Sequence, residues 1–161
     1  MKNFLKLFLI FGFLITLIFF LRLKTIISIP IWTSDVQMTV KNIRHIKIAG
    51  KTLKIELALT SEAQQKGLYG RERLKINESM LFVFDRPGKY EFWMKDMSFP
   101  IDIIWIGEDM RIVYIKKNAL PESYPEVFTS DQDAQYVLEV VSRFSEENNL
   151  KEEDEVEFLP F

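Results

Sequence analysis

The chain has 161 residues, of which 21 are basic, 23 are acidic, one is histidine and none is cysteine. This length fits one domain, and without cysteine the chain has no thiol catalyst, thiolate metal site, disulfide or lipid-modified N-terminal cysteine. Residues 1–24 carry four basic residues and no acid, so the rest has 17 basic and 23 acidic residues, a net charge of −6 that disfavours nucleic acid as a partner.

Residues 1–24 are predominantly apolar and predict a membrane anchor. A helix over residues 4–23 is long enough, at about 1.5 Å per residue, to cross a ~30 Å hydrocarbon core, which makes the lipid bilayer a partner. A cleaved signal peptide is the alternative, but no small-x-small site follows Lys24. Basic residues near the start favour a cytoplasmic N-terminus. We therefore predict a single-pass cell-membrane protein, with a juxtamembrane linker over residues 25–40 and an extracytoplasmic domain over residues 41–161.

The domain begins with alternating apolar residues that are typical of a β-hairpin. The alternation over residues 46–48 stops at Ala49-Gly50-Lys51 and resumes over residues 53–59, which predicts two strands and a tight turn. The segment from Thr60 to Gly67 predicts a short helix, because Ser61 begins a capping-box pattern and glycine can end a helix.

Apolar runs separated by turn signals continue to the C-terminus. They predict strands over residues 80–84, 90–94, 101–106, 110–115, 134–141 and 155–159, and a second short helix over residues 142–149. Strands that are apolar at nearly every position must be covered on both faces. The predicted fold class is therefore mainly β with two short helices (α+β), a compact barrel-like or two-layer β domain preceded by one transmembrane helix.

One segment combines aromatic and charged residues in a way that suggests a ligand site. In a strand, Trp93 and Lys95 would share one face and Asp96 would lie on the other. Trp93 could stack on a ligand whose polar groups are fixed by Lys95 and Asp96, and Arg71 and Asp102 complete the set of candidate ligand contacts. The alternative is that Trp93 belongs to the core and Lys95 pairs with an acid at the end of the strand.

Two acids interrupt apolar strands, where an unpaired carboxylate would be unfavourable. These acids are Asp102 and Glu139. The guanidinium of Arg71 suits bidentate pairing, so we expect a structural, partly buried ion pair within about 4 Å between Arg71 and one of these acids. His45, the only histidine, excludes a multi-histidine metal site and is more typical of an ordinary strand position than of a catalytic base. The six glycines form no Walker or dinucleotide pattern, so neither a metal nor a cofactor is predicted.

Ordered sequence stretches over about residues 53–159 resemble domain-of-unknown-function family 192. The stretches that carry the resemblance are Glu56-Leu57-Ala58, Gly67-Leu68-Tyr69-Gly70-Arg71, Met80-Leu81-Phe82-Val83-Phe84, Phe92-Trp93-Met94-Lys95, Pro100-Ile101-Asp102-Ile103-Ile104 and Val137-Leu138-Glu139-Val140. The chain departs from the family pattern at Tyr69, where methionine is usual, and at Asp96-Met97, where Asn-Thr is usual. The resemblance implies a β-rich domain that is often found with a secretion signal or anchor, and it implies no established reaction.

Two functional hypotheses follow from these patterns. The first is a non-enzymatic binding or interaction module at the outer face of the membrane, with an unidentified protein or glycan as its partner. The alternative is a hydrolase or isomerase that uses Asp96, Asp102 or Glu139 together with Lys95. The alternative requires these side chains to converge in one open cleft, and the sequence assigns no catalytic residue.

Overall fold

The computed structural model describes residues 40–160, so the predicted anchor at residues 4–23 and nearly all of the predicted linker lie outside the described residues. Seven strands, two short α-helices and one 3-10 turn follow one another along the described chain. They are β1 (Ile43–Ile48), β2 (Lys51–Ala58), α1 (Ser61–Lys66), β3 (Glu78–Gly88), β4 (Ile101–Ile106), β5 (Ile112–Ala119), the 3-10 turn (Pro121–Ser123), β6 (Ala134–Val141), α2 (Phe144–Glu147) and β7 (Val156–Pro160). Over residues 40–160, no helix has the length and apolar character that a membrane span requires.

The seven strands form one sheet in the order β5-β4-β6-β3-β2-β1-β7. Strands β2 and β3 are parallel, because the chain crosses over through α1 between them, and the other neighbouring strands are antiparallel. The sheet is not closed, since β5 and β7 are its two edges, although an isolated bridge joins Arg111 to Glu155. The prediction of a mainly β domain with two short helices is confirmed, whereas a closed barrel is not formed.

Both faces of the central strands are covered, as the apolar runs predicted. Every residue of β4 is buried, and seven of the eight residues of β6 are buried. On one face, Phe82 and Trp105 flank Val137, and the rings of Phe82 and Phe92 meet edge to face with centroids 4.8 Å apart. This aromatic face of the sheet, together with α1, carries the pocket described below. Apolar burial of this kind is the main source of stability in a domain without disulfides.

The segment over residues 90–94 is not a strand of the sheet, so that part of the prediction is wrong. Strand β3 continues to Gly88, and Phe92 instead forms one bridge with Phe128 through backbone hydrogen bonds of 2.8 and 2.9 Å. The side chains alternate around this bridge. Phe92 and Met94 are buried, whereas Trp93 is 49% exposed. The interpretation of Trp93 as a core residue is therefore also wrong.

Candidate functional site

An open pocket of about 630 Å³ lies between α1 and the aromatic segment over residues 90–97. Its volume falls in the range of about 300–1,000 Å³ that is usual for small-ligand sites. Its lining is a mixture of aromatic, amide and charged side chains. The lining residues are Ser61, Gln64, Gln65, Lys66, Gly67, Leu68, Tyr69, Phe82, Phe84, Tyr90, Glu91, Phe92, Trp93, Lys95, Asp96, Met97 and Glu139.

Helix α1 forms one wall of the pocket and is fixed at both ends. Thr60, rather than the predicted Ser61, is its N-cap, because the Thr60 hydroxyl accepts a hydrogen bond of 3.1 Å from a backbone N–H in the first turn. The Gln64 amide donates to the carbonyl oxygens of Ala58 and Val83 at 3.3 and 2.8 Å. These carbonyls lie where the parallel ladder of β2 and β3 ends. Gln64 therefore ties the helix to the sheet and satisfies backbone groups at the same time.

The opposite wall is the segment that carries Trp93, Lys95 and Asp96. Lys95 and Asp96 are exposed and occupy a tight turn in which the Met97 N–H donates to the Met94 carbonyl at 3.3 Å. Asp96 has a φ of 57°, and aspartate tolerates this left-handed region better than most residues do. Within residues 40–160, neither Lys95 nor Asp96 forms an ion pair, so the predicted partner of Lys95 at the end of the strand is not found.

Glu139 supplies a buried carboxyl group to the wall of the pocket. It lies on β6 in register with Met80 of β3, which is in turn in register with Glu56 of β2, so the two glutamates flank a methionine on one face of the sheet. Glu139 is 6% exposed, and within residues 40–160 its Oε2 has no hydrogen-bond partner. Burial raises the pKa of Glu139 to about 8, and the positive charge of Arg71 opposes that rise. The carboxyl group is therefore protonated at neutral pH.

Arg71 forms an ion pair with Glu56 at 2.7 Å, instead of the predicted pair with Asp102 or Glu139. The turn after α1 brings the guanidinium to the exposed end of the row that contains Glu56 and Glu139, where Glu56 is accessible. Arg71 therefore acts on Glu139 through its charge, without a direct ion pair. It does not line the pocket.

Asp102 has a structural position and does not contact the pocket, in contrast to the predicted ligand role. It is fully buried and accepts three backbone hydrogen bonds, at 2.8 Å from Asn118, 3.1 Å from Arg143 and 2.7 Å from Ser145. These bonds join β4 to the end of β5 and to the start of α2. Backbone donors, rather than a cation, compensate this carboxylate.

The structure thus brings three of the five predicted contacts, Trp93, Lys95 and Asp96, into one pocket, and leaves Arg71 and Asp102 outside it. It adds Tyr69, which is 55% exposed, and Glu139 as a pocket residue. The sequence signal for Tyr69 was a large, partly apolar side chain between turn glycines. The signal for Glu139 was an acid inside an apolar run. Among the described residues, no cluster of three acidic or histidine side chains could hold a metal ion.

Two solved structures are similar to this chain in sequence and fold. A crystal structure of a protein of unknown function from Novosphingobium aromaticivorans DSM 12444 is 32% identical, with a TM-score of 0.68, over 71% of this chain and 84% of that one. A crystal structure of a putative transcription regulator from Sinorhizobium meliloti 1021 is 30% identical, with a TM-score of 0.65, over 72% of this chain and 91% of that one. No curated protein matches the chain.

The family model of domain-of-unknown-function family 192, described as "Uncharacterized ACR", matches residues 44–158. This range includes every residue that lines the pocket. It also includes all seven strands, apart from the first residue of β1 and the last two residues of β7. The match confirms the resemblance predicted from the ordered sequence stretches. The chain belongs to domain-of-unknown-function family 192.

Proposed function

We propose that this protein is a binding module, held at the outer face of the cell membrane by a helix over residues 4–23, whose pocket takes a ligand. The observation that carries the proposal is the buried carboxyl group of Glu139 in the wall of an open pocket, whose Oε2 has no hydrogen-bond partner in the part of the chain that the structure describes. Burial of a polar atom without a hydrogen bond costs about 1–3 kcal/mol. Ionisable groups whose pKa is strongly perturbed by burial are concentrated at functional sites, and we expect a ligand to supply the missing partner here.

The exposed residues around the pocket support the same proposal. Trp93 and Tyr69 are 49% and 55% exposed, although each is large and partly apolar. Lys95 and Asp96 lie beside Trp93 and have no ion-pair partners within the described part of the chain. Ligand sites typically combine aromatic surface with a few polar groups that fix orientation.

The binding proposal can be tested with the full-length protein in phospholipid nanodiscs. A library of neutral, anionic and cationic small fragments would be screened by saturation-transfer NMR. We expect fragments to bind the wild-type protein and to lose their signal when Trp93, Lys95 and Asp96 are all replaced by alanine. The control variant is Lys47→Ala, because Lys47 is exposed and lies outside the pocket. Absence of any binding, or equal binding by the triple variant, would reject the pocket as the site.

The proposed location has an independent test, because the natural chain contains no cysteine. Ile76→Cys would place one thiol at a position that is 72% exposed. A membrane-impermeant maleimide should label this variant in intact cells if the domain faces outward. Labelling that occurs only after lysis would contradict the proposed orientation.

We further propose that nucleic acid is not a partner. The net negative charge of residues 25–161 supports this proposal, although the Sinorhizobium relative is described as a putative transcription regulator.

A hydrolase or isomerase remains the second candidate, because Glu139, Lys95 and Asp96 line the same pocket. A carboxyl group with a pKa of about 8 is protonated at neutral pH and is suited to act as a general acid. Asp102 no longer belongs to this hypothesis, since it is sealed in the core by backbone donors. Chemical conversion of a bound fragment that stops in Glu139→Gln would favour the enzyme over the binding module.

A further inference from the structure

The charged side chains at the pocket are balanced in sign. Lys66 and Lys95 oppose Glu91 and Asp96, and all four are exposed. The third acid of the lining, Glu139, is neutral at physiological pH because burial raises its pKa. Sites for strongly charged ligands usually present an excess of the opposite sign, which makes the local potential complementary. This balance favours a ligand without net charge.

The buried carboxyl group requires a ligand that can form hydrogen bonds. A protonated carboxyl group has one O–H donor and remaining acceptor capacity. A hydrocarbon ligand would leave the Oε2 of Glu139 unpaired and would retain the free-energy cost of burying it. A hydroxyl group both donates and accepts, so it can match the neutral carboxyl group in either direction.

The exposed aromatic rings provide the second half of the recognition surface. Trp93 is about half exposed at the pocket. An aromatic face carries partial negative charge, so it attracts the weakly positive C–H groups on the apolar face of a saturated ring. A molecule with an apolar ring face and hydroxyl groups around its edge therefore satisfies the aromatic ring and the buried acid together.

Resting on the proposed binding function, we propose that the ligand is a neutral saccharide of one or two rings, which stacks on Trp93 and exchanges hydrogen bonds with Glu139. The pocket of about 630 Å³ is large enough for a ligand of this class. The exposed Lys95 and Asp96 then contact hydroxyl groups at the edge of the sugar. Glu139 acts as a neutral donor, so binding should weaken when the pH rises through its pKa.

The test is calorimetric titration of the full-length protein in nanodiscs, without glycoside detergents. The neutral probes are maltose, cellobiose and N,N′-diacetylchitobiose, and gluconate and glucosamine are the charged probes. We expect at least one neutral probe to bind. Trp93→Ala and Glu139→Leu should each weaken that binding by about tenfold, as expected for loss of one stacking or hydrogen-bonding contact. Lys47→Ala serves as the control outside the pocket.

Glu139→Gln separates hydrogen bonding from simple loss of fold. The amide also donates and accepts but does not titrate, so it should recover most of the affinity that Glu139→Leu loses. It should also remove the decrease in affinity between about pH 6 and about pH 9. Near-ultraviolet circular dichroism would verify that each variant is folded.

The possible failures of the two proposals can be distinguished. If a charged probe or a fragment of another class binds in a Trp93-dependent manner while no neutral saccharide binds, the saccharide inference is overturned and the binding module stands. If saccharides bind equally to wild type, Trp93→Ala and Glu139→Leu at all pH values, they bind elsewhere and the inference is also overturned. If neither saccharides nor fragments bind, both proposals fail.

Discussion

Replacement of Glu139 by glutamine should stabilise the protein at neutral and alkaline pH. The carboxyl group is buried, and its pKa is raised to about 8 from an ordinary value of 4.5. Between these values the folded state holds a proton that the unfolded state has released. The free energy of unfolding of the wild type therefore has its full value below about pH 4.5 and decreases as the pH rises to about 8.

The size of the effect follows from the same pKa difference. At about 1.4 kcal/mol per pH unit, the free energy of unfolding of the wild type should fall by about 5 kcal/mol between about pH 4.5 and about pH 8. About 3 kcal/mol of this decrease should occur by pH 7. Glutamine does not titrate, so Glu139→Gln should avoid this loss. For a domain of this size, 1 kcal/mol changes Tm by roughly 3–6 °C, so the difference between the two proteins should exceed about 10 °C at alkaline pH.

The assay is thermal unfolding of the full-length protein in nanodiscs, followed by the near-ultraviolet circular dichroism of the buried aromatic rings. Both proteins would be measured from about pH 5 to about pH 9. Glu91→Gln, which removes a carboxylate from the exposed edge of the same pocket, is the matched control. A Tm difference between wild type and Glu139→Gln that stays constant across this range would refute the assignment of a protonated Glu139.

Three further predictions address the residues around the site. Asp102→Asn should lower the free energy of unfolding by about 2–4 kcal/mol in chemical denaturation. The reason is that the NH₂ group of asparagine would face at least one of the backbone N–H groups that now donate to the carboxylate. Thr60→Ala should cost about 1 kcal/mol by the same measurement, since it removes the N-cap of α1, and an unchanged value would show that Gln64 alone fixes the helix. Arg71→Met should move the pH midpoint of the stability change of Glu139 upward, because Arg71 lowers that pKa. A downward movement would contradict the position assigned to its charge.

One backbone bridge decides which aromatic side chain of this segment is buried and which is exposed. The bridge between Phe92 and Phe128 fixes the alternation of the segment, so Phe92 enters the core and Trp93 remains outside. The turn that follows holds Lys95 and Asp96 beside it. A conformational change that broke the bridge would therefore affect core packing and the pocket together.

Local sequence patterns determined most of the elements. Period-two alternation and turn residues predicted the hairpin of β1 and β2, and continuous apolar runs predicted that β4 and β6 are covered on both faces. Ordered motifs were sufficient to predict the family, which the family model confirms. These features depend on residues that are close together in the chain and on the apolar character of each segment, so they can be predicted from a single sequence. The membrane anchor stays a prediction, because residues 4–23 lie outside the described residues.

Tertiary structure decided which polar groups meet. Arg71 could have paired with any of several acids, and the turn after α1 brings it to Glu56. Asp102 and Glu139 look alike in the sequence, because each is an acid inside an apolar strand. Backbone N–H groups from two distant segments reach Asp102, whereas Glu139 lines a pocket and its Oε2 has no hydrogen-bond partner among the described residues. The sequence determined that both acids would be buried, but the long-range geometry of strands and loops decided which carboxyl group kept an oxygen without a hydrogen-bond partner within residues 40–160.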